Sequence, residues 1–191
     1  MTSQRKCATH FSTGFGTLPT APSNSVSVDT ATNRLTGAPY AYDKNGNMTN
    51  DGANTLTYDG ESRVVTSAAA QSASYVYDGA SLRVKKCKPN CTSPTSTTVY
   101  VFAGSKVIAE YDNSAAVGSP TREYVYAGAK LVATHEGGAL RFHYHDHLSA
   151  RVTSDASGGN RTEQAHYPYG EQWYNSSGAK LLFTSYERDS E

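Results

Sequence analysis

Aromatic residues separated by a single position recur along this chain, and each pair runs into a turn signal. The pairs are Tyr40/Tyr42, Tyr75/Tyr77, Tyr100/Phe102, Tyr124/Tyr126, Phe142/Tyr144 and Tyr167/Tyr169, with Leu56/Tyr58 as a weaker copy. A spacing of two places both rings on one face of a β-strand, where they can stack with rings from neighbouring strands. The residues that follow are Asp43, Asp59-Gly60, Asp78-Gly79, Ala103-Gly104, Ala127-Gly128, His145-Asp146 and Gly170. Most of these reverse a chain cheaply, through a positive φ or a side-chain bond to the backbone. The pattern predicts an all-β chain of successive antiparallel β-hairpins made from one unit and joined into a curled sheet, because a lone hairpin is marginal.

The second aromatic positions, Tyr42, Tyr58, Tyr77, Phe102, Tyr126, Tyr144 and Tyr169, form the predicted ladder. Returning strands are legible at Arg63-Val64-Val65, Leu82-Arg83-Val84, Lys106-Val107-Ile108-Ala109 and Lys130-Leu131-Val132-Ala133. These are rich in β-branched residues, with Lys or Arg that can reach water. The alanines between Ser67 and Ser74 are too few and too mixed with serine to make a helix. Residues 1–32, with Pro19, Pro22 and Ser23-Asn24-Ser25, read as an extended, poorly ordered leader, and the hairpin units occupy 33–138.

Charge and apolar content narrow the function. The 17 basic and 17 acidic residues cancel, and the densest basic cluster is Lys85, Lys86 and Lys88. Nucleic acid and anionic membrane surfaces, which favour a basic excess, are not expected partners. No apolar run approaches the ~20 residues of a membrane span. Met1 to Leu18 lacks the apolar core of a secretory signal, so no signal peptide is expected in this chain. Cys87 and Cys91 flank Lys88-Pro89-Asn90 between two strand-like runs, so they could close a disulfide across a hairpin loop or remain free thiols, with Cys7 left over. Cys-x-x-x-Cys alone lacks the two further ligands that zinc would need.

The units resemble the YD-repeat, or RHS, family of bacterial surface and toxin-delivery proteins. The residues that carry the resemblance are Tyr42-Asp43-Lys44-Asn45-Gly46-Asn47, Tyr58-Asp59-Gly60-Glu61-Ser62-Arg63 and Tyr77-Asp78-Gly79-Ala80-Ser81-Leu82-Arg83. Further on, His145-Asp146-His147-Leu148-Ser149, Thr153-Ser154-Asp155-Ala156-Ser157-Gly158, Tyr167-Pro168-Tyr169-Gly170-Glu171 and Phe183 to Asp189 resemble that family's core-associated region, so 139–191 is assigned to it. The resemblance implies a partial shell of the kind that encloses and delivers toxins, meets other surfaces or binds carbohydrate. It also implies a secreted or cell-surface location as part of a longer protein. The repeats are too few to close a shell, and no toxin domain is present before Glu191, so a fragment or cut-down form is expected. Its partners would then be the missing repeats, or copies of itself meeting at open sheet edges.

Chemistry is sparser. His143, His145 and His147 alternate, so on a strand all three would share a face and, with His166, Asp146 or Glu171, could hold a transition metal for a small hydrolase. The same segment also reads as one more aromatic unit with polar residues outward, and on that reading no cofactor is required. Ser149 beside His147 is the least poor nucleophile candidate, with no Gly-x-Ser-x-Gly elbow to support it. Glu123, Glu136, Glu163 and Glu171 could supply paired carboxylates to a glycosidase, though more simply they are solvated. Exposed rings of the ladder could stack on sugars. The balance favours a non-enzymatic structural and interaction module.

Overall fold

The computed structural model describes residues 27–68, 71–166 and 172–175. They form β-strands and turns, with no helix among them. The leader up to residue 26, Cys7, Tyr167, Tyr169, Glu171 and the Phe183 to Asp189 motif lie outside the described residues.

The chain divides between Arg141 and Phe142 into two compact units. The first begins with a two-stranded ribbon, β1 (Val28–Asp29) and β2 (Arg34–Leu35). It continues through β3 (Ala41–Tyr42), β4 (Met48–Asn50), β5 (Thr55–Tyr58), β6 (Val64–Ala68), β7 (Ala73–Tyr77) and β8 (Arg83–Lys88). Then come β9 (Ser96–Ala103), β10 (Lys106–Asp112), β11 (Arg122–Ala127) and β12 (Lys130–Glu136). From β3 to β12 each strand pairs antiparallel with its sequence neighbours. β13 (Ala139–His145) carries the chain across the division. In the second unit β14 (Ala150–Ser154), β15 (Thr162–His166) and β16 (Gln172–Asn175) follow by the same antiparallel rule.

The predicted returning strands begin at Val64, Arg83, Lys106 and Lys130. Their register holds a feature that alternation cannot show. Tyr42 pairs with Met48 while Ala41 pairs with Asn50, so Thr49 is an extra residue on the returning strand. The same bulge recurs at Val65 opposite Thr57/Tyr58, at Val84 opposite Val76/Tyr77 and at Ile108 opposite Val101/Phe102. It appears again at Val132 opposite Val125/Tyr126 and at Arg151 opposite Tyr144/His145. A bulge bends its own strand and leaves the partner regular. The ring-bearing strand therefore keeps its period of two, and the extra residue falls on the strand that carries no ring pair.

Burial follows. Tyr100 is 5% exposed between Val99 at 41% and Val101 at 38%. Tyr75 and Tyr124 are buried likewise, while Val76 and Val125 face outward. Each such ring contributes roughly 1.5–3 kcal/mol by leaving water. The first unit's core is thus the ring-bearing face of its strands, closed by Leu131 and by the aliphatic stem of Lys86. β13 departs from this rule: Tyr144 is 54% exposed there.

Candidate functional site

The tyrosine–aspartate turns share one geometry. In the turn at Asp59, the Asp59 amide donates to the Arg63 carbonyl (3.0 Å) and the Ser62 amide to the Asp59 carbonyl (3.1 Å). Asp59 Oδ1 accepts the amides of Glu61 and Arg63, both at 3.0 Å. Asp43 repeats the scheme with Gly46 and Asn47, Asp78 with Ser81 and Leu82, and in the second unit Asp155 with Gly158 and Gly159. The residue three after the aspartate has a positive φ each time: 93° at Gly46, 60° at Ser62, 63° at Ser81 and 81° at Gly158. An aspartate at the head of the turn supplies, from its own side chain, the acceptor that the tight backbone lacks. Asp146 makes a one-residue-shorter version with Leu148 and Ser149, and binds Arg151 Nε through Oδ2 at 2.6 Å.

Asp43, Asp59, Asp146 and Asp155 are held in the charged form. The Asn47 side chain leads in lowering Asp43, the Arg63 amide in lowering Asp59, and the Ser157 and Asn160 side chains in lowering Asp155. Partial burial pushes Asp146 up, but the Ser149 and Leu148 amides and Arg151 hold it well below the usual carboxylate range.

Successive units are locked together from these turns. Tyr58 donates its hydroxyl to the Met48 carbonyl and Tyr77 to the Val64 carbonyl, both at 2.8 Å. Each acceptor lies five residues after the preceding unit's aspartate. The Arg63 guanidinium, fixed by Asp59 Oδ2 at 2.7 Å, lies over the Tyr77 ring at 5.0 Å. Arg83 lies over Tyr75 of its own unit and Tyr100 of the next, and Lys106 over Tyr126, so each of these cations reaches a ring of the next unit. The turns also touch: Asn47 Nδ2 donates to Ser62 Oγ (3.2 Å), and Arg63 donates to Ser81 Oγ (3.3 Å). Serine occupies a strained left-handed position at both places because its hydroxyl receives the neighbouring turn.

One unit escaped the aromatic pattern. β1 and β2 pair Val28 with Leu35 and Asp29 with Arg34, and Asp29 caps Ala31 and Thr32. Arg34 lies over Tyr42 at 5.1 Å, and the Leu35 amide donates to the Tyr42 hydroxyl at 3.0 Å. This is a like lock, with the hydroxyl accepting an amide where Tyr58 and Tyr77 donate to a carbonyl, made by a unit with Val28 where the others carry an aromatic ring. Hairpin structure therefore starts before Asn33, within the stretch read as leader. The legible signal was Asp29 followed by Asn33-Arg34-Leu35, a turn-and-cation sequence without a ring.

A second residue missed from sequence is Glu110. Alternation marks it only as a strand position, yet it is 2% exposed. Its carboxylate accepts the Tyr124 hydroxyl at 2.6 Å and Arg122 at 2.8 Å, and Arg122 reaches on to Glu136. Glu110, Arg122 and Glu136 stand directly opposite one another across β10, β11 and β12. Burial and the Glu110 charge push the Tyr124 phenol up, so it remains a donor. Burial opposes the Arg122 charge, but the hydrogen bond to Glu136 and the surrounding negative groups raise its pKa.

The remaining candidates are placed as follows. A disulfide joins Cys87 and Cys91, with Cα atoms 5.1 Å apart. His143 and His145 lie on β13 with ring centroids 6.4 Å apart. His147 does not join them, which corrects the expectation of three imidazoles on one strand face. The strand ends at His145 because Asp146 captures the Leu148 and Ser149 amides, and His147 falls exposed in that turn. His166 sits on β15 opposite Gln172. Among the described residues, no group of three or more His, Cys, Asp or Glu side chains could hold a metal ion. Ser149 is wholly buried and out of reach of a substrate. Glu123 is paired with His135, Glu136 with Arg122 and Glu163 with Arg161.

No family model and no curated protein matches the chain significantly. Solved structures do. A chain of the Photorhabdus luminescens Tc holotoxin pore is similar over 78% of this chain, with a TM-score of 0.57 and 17% identity. A chain of a TcdB2–TccC3 complex is similar over 78%, with a TM-score of 0.55 and 17% identity. This chain spans only 8% and 9% of those chains, so the likeness is to part of a much larger architecture. At this identity it is a likeness of fold.

Proposed function

We propose that the chain is a non-enzymatic structural and interaction module, a stretch of RHS-type wall from a toxin-enclosing assembly. The observation that carries this reading is the lock between units. Tyr42 and Tyr77 are each engaged at the ring by a cation, and at the hydroxyl by the backbone, of the unit before, so these repeats are completed only by a neighbour. Such a wall grows by adding like units, and the fold-level likeness to parts of Tc toxin structures supports the same reading. On this reading residues 33–138 are repeats, entered through the ringless ribbon that opens at Val28, and 139–191 the core-associated region. The chain works outside the cytosol as part of a longer protein and meets further repeats or subunits, with carbohydrate as a surface ligand of its exposed rings.

Light scattering on size-exclusion fractions tests the interaction arm. Mass that rises with concentration is expected, from pairing at unfilled strand edges. A strictly monodisperse monomer at every concentration overturns it. Glycan-array screening tests the carbohydrate arm, and no hit at high concentration removes it without touching the first.

A further inference from the structure

The Cys87–Cys91 disulfide is not needed for the lock between units, and its two sulfurs live in different surroundings. Cys87 lies in β8 with its backbone paired to Ser74 of β7 and Thr97 of β9, and it is 0% exposed. Cys91 lies past the strand end in the β8–β9 connection and is only partly buried. Its neighbours Asn90, Thr92, Ser93 and Pro94 are all exposed.

Apart from the Cys91 Sγ contact with the Ser74 carbonyl of β7 at 4.0 Å, the other ties of this connection are local to it and to the end of β8. Asn90 Oδ1 accepts the Thr92 and Ser93 amides, which organises the loop internally. Thr95 donates its amide and hydroxyl to the Lys88 carbonyl, which closes the loop at its base. The disulfide is the covalent tie that holds residues 89–91 against β8.

We infer that Cys91 is a site of reversible modification by low-molecular-weight thiols, with Cys87 as its buried leaving group. A thiolate attacks Sγ of Cys91, the less buried of the two residues, a new S–S bond forms there, and the Cys87–Cys91 bond breaks. The electron pair leaves on Cys87 Sγ, and the proton given up by the attacking thiol ends there. A second thiol then attacks the added sulfur, releasing a small disulfide and leaving Cys91 reduced. Access selects which protein sulfur is attacked. The outcome is a loop over 89–94 that is freed while β8, held by β7 and β9, stays in register.

The test uses the full chain in a Cys7→Ser background, oxidised and then exposed briefly to millimolar glutathione and quenched in acid. Fragment-ion mass spectrometry should place the mixed disulfide on Cys91 over Cys87 by about tenfold or more, as expected where access decides the attacked sulfur. Limited proteolysis should cut within 89–94 at least about tenfold faster in reduced than in oxidised protein, with an unchanged strand signal in circular dichroism. Cys91→Ser should show the fast cut without reductant. If that variant does not fold, wild type reduced and alkylated at Cys91 replaces it. Adducts mainly on Cys87, equal cutting of both redox forms, or two free thiols after oxidation would each overturn the proposal.

Discussion

Two stretches of the first unit solve one packing problem differently. In the stretch from β3 to β8 the turns carry aspartate, the cation is fixed at the turn, and tyrosine hydroxyls reach backbone carbonyls of the previous unit. In the stretch from β9 to β12 the β9–β10 and β11–β12 turns are two-residue loops with Gly104 and Gly128 at positive φ and no carboxylate. There Lys106 bonds the Gly128 carbonyl and covers Tyr126, and the negative charge appears inside the sheet as Glu110. Charge that one stretch keeps at its half-solvated rim, the other places on the ring-bearing face. The difference bears on energy: a buried pair loses much more than a rim pair when one partner is removed.

The sharpest way to break this comparison is Glu110→Ala. It strands the Tyr124 hydroxyl and leaves Arg122 with Glu136 alone, and urea denaturation should register a loss of about 3–5 kcal/mol. A loss below about 1 kcal/mol would mean that the network is no more than a rim pair. Next in size, Tyr124→Phe should cost about 1.5–3 kcal/mol, because its acceptor is charged, against about 1 kcal/mol for Tyr77→Phe, whose acceptor is a carbonyl. Equal values in the same titration would erase the distinction between the two kinds of lock.

Gly104→Ala should cost about 1 kcal/mol by imposing a side chain on a left-handed backbone, readable as a lowered urea midpoint at constant slope. Acid sharpens the contrast from the other side. Asp43 and Asp59 have folded-state pKa values below their unfolded values near 3.8, so their contribution is complete above that pH. It is lost as pH falls through the folded values. Amide exchange at Asn47 and Arg63, whose N–H groups bond these carboxylates, should lose protection as pH drops below about 4. Protection unchanged to pH 2 would remove the carboxylates from the account. Smallest of all, Ser62→Gly relieves a left-handed serine but removes the acceptor for Asn47, so the net change should lie within about 0.5 kcal/mol. A double-mutant cycle with Asn47→Ala should return a coupling of about 0.5 kcal/mol, and zero coupling would remove the Asn47–Ser62 bond from the account.

Much of the local structure was legible. The paired rings marked strands and their buried face, and Asp-Gly and Ala-Gly marked the turns, because both signals act within a few residues. The histidine run shows where such reading fails. Alternation over His143, His145 and His147 assumes that the strand continues, whereas Asp146 ends it by capping two amides. The opening unit was hidden for the opposite reason. Val28 removes the ring from the pattern, while the turn and Arg34 keep the function.

By itself, the sequence determined the strand-and-turn grammar, since period-two alternation and turn chemistry are properties of neighbouring residues. Only the tertiary structure decided which carbonyl each tyrosine meets, where each returning strand takes up its extra residue, and that Glu110 is buried with Arg122 and Tyr124. The side-chain contacts among these join residues ten or more positions apart, and their strength depends on how much water the paired strands exclude. Exclusion of that kind exists only once the strands have found their register.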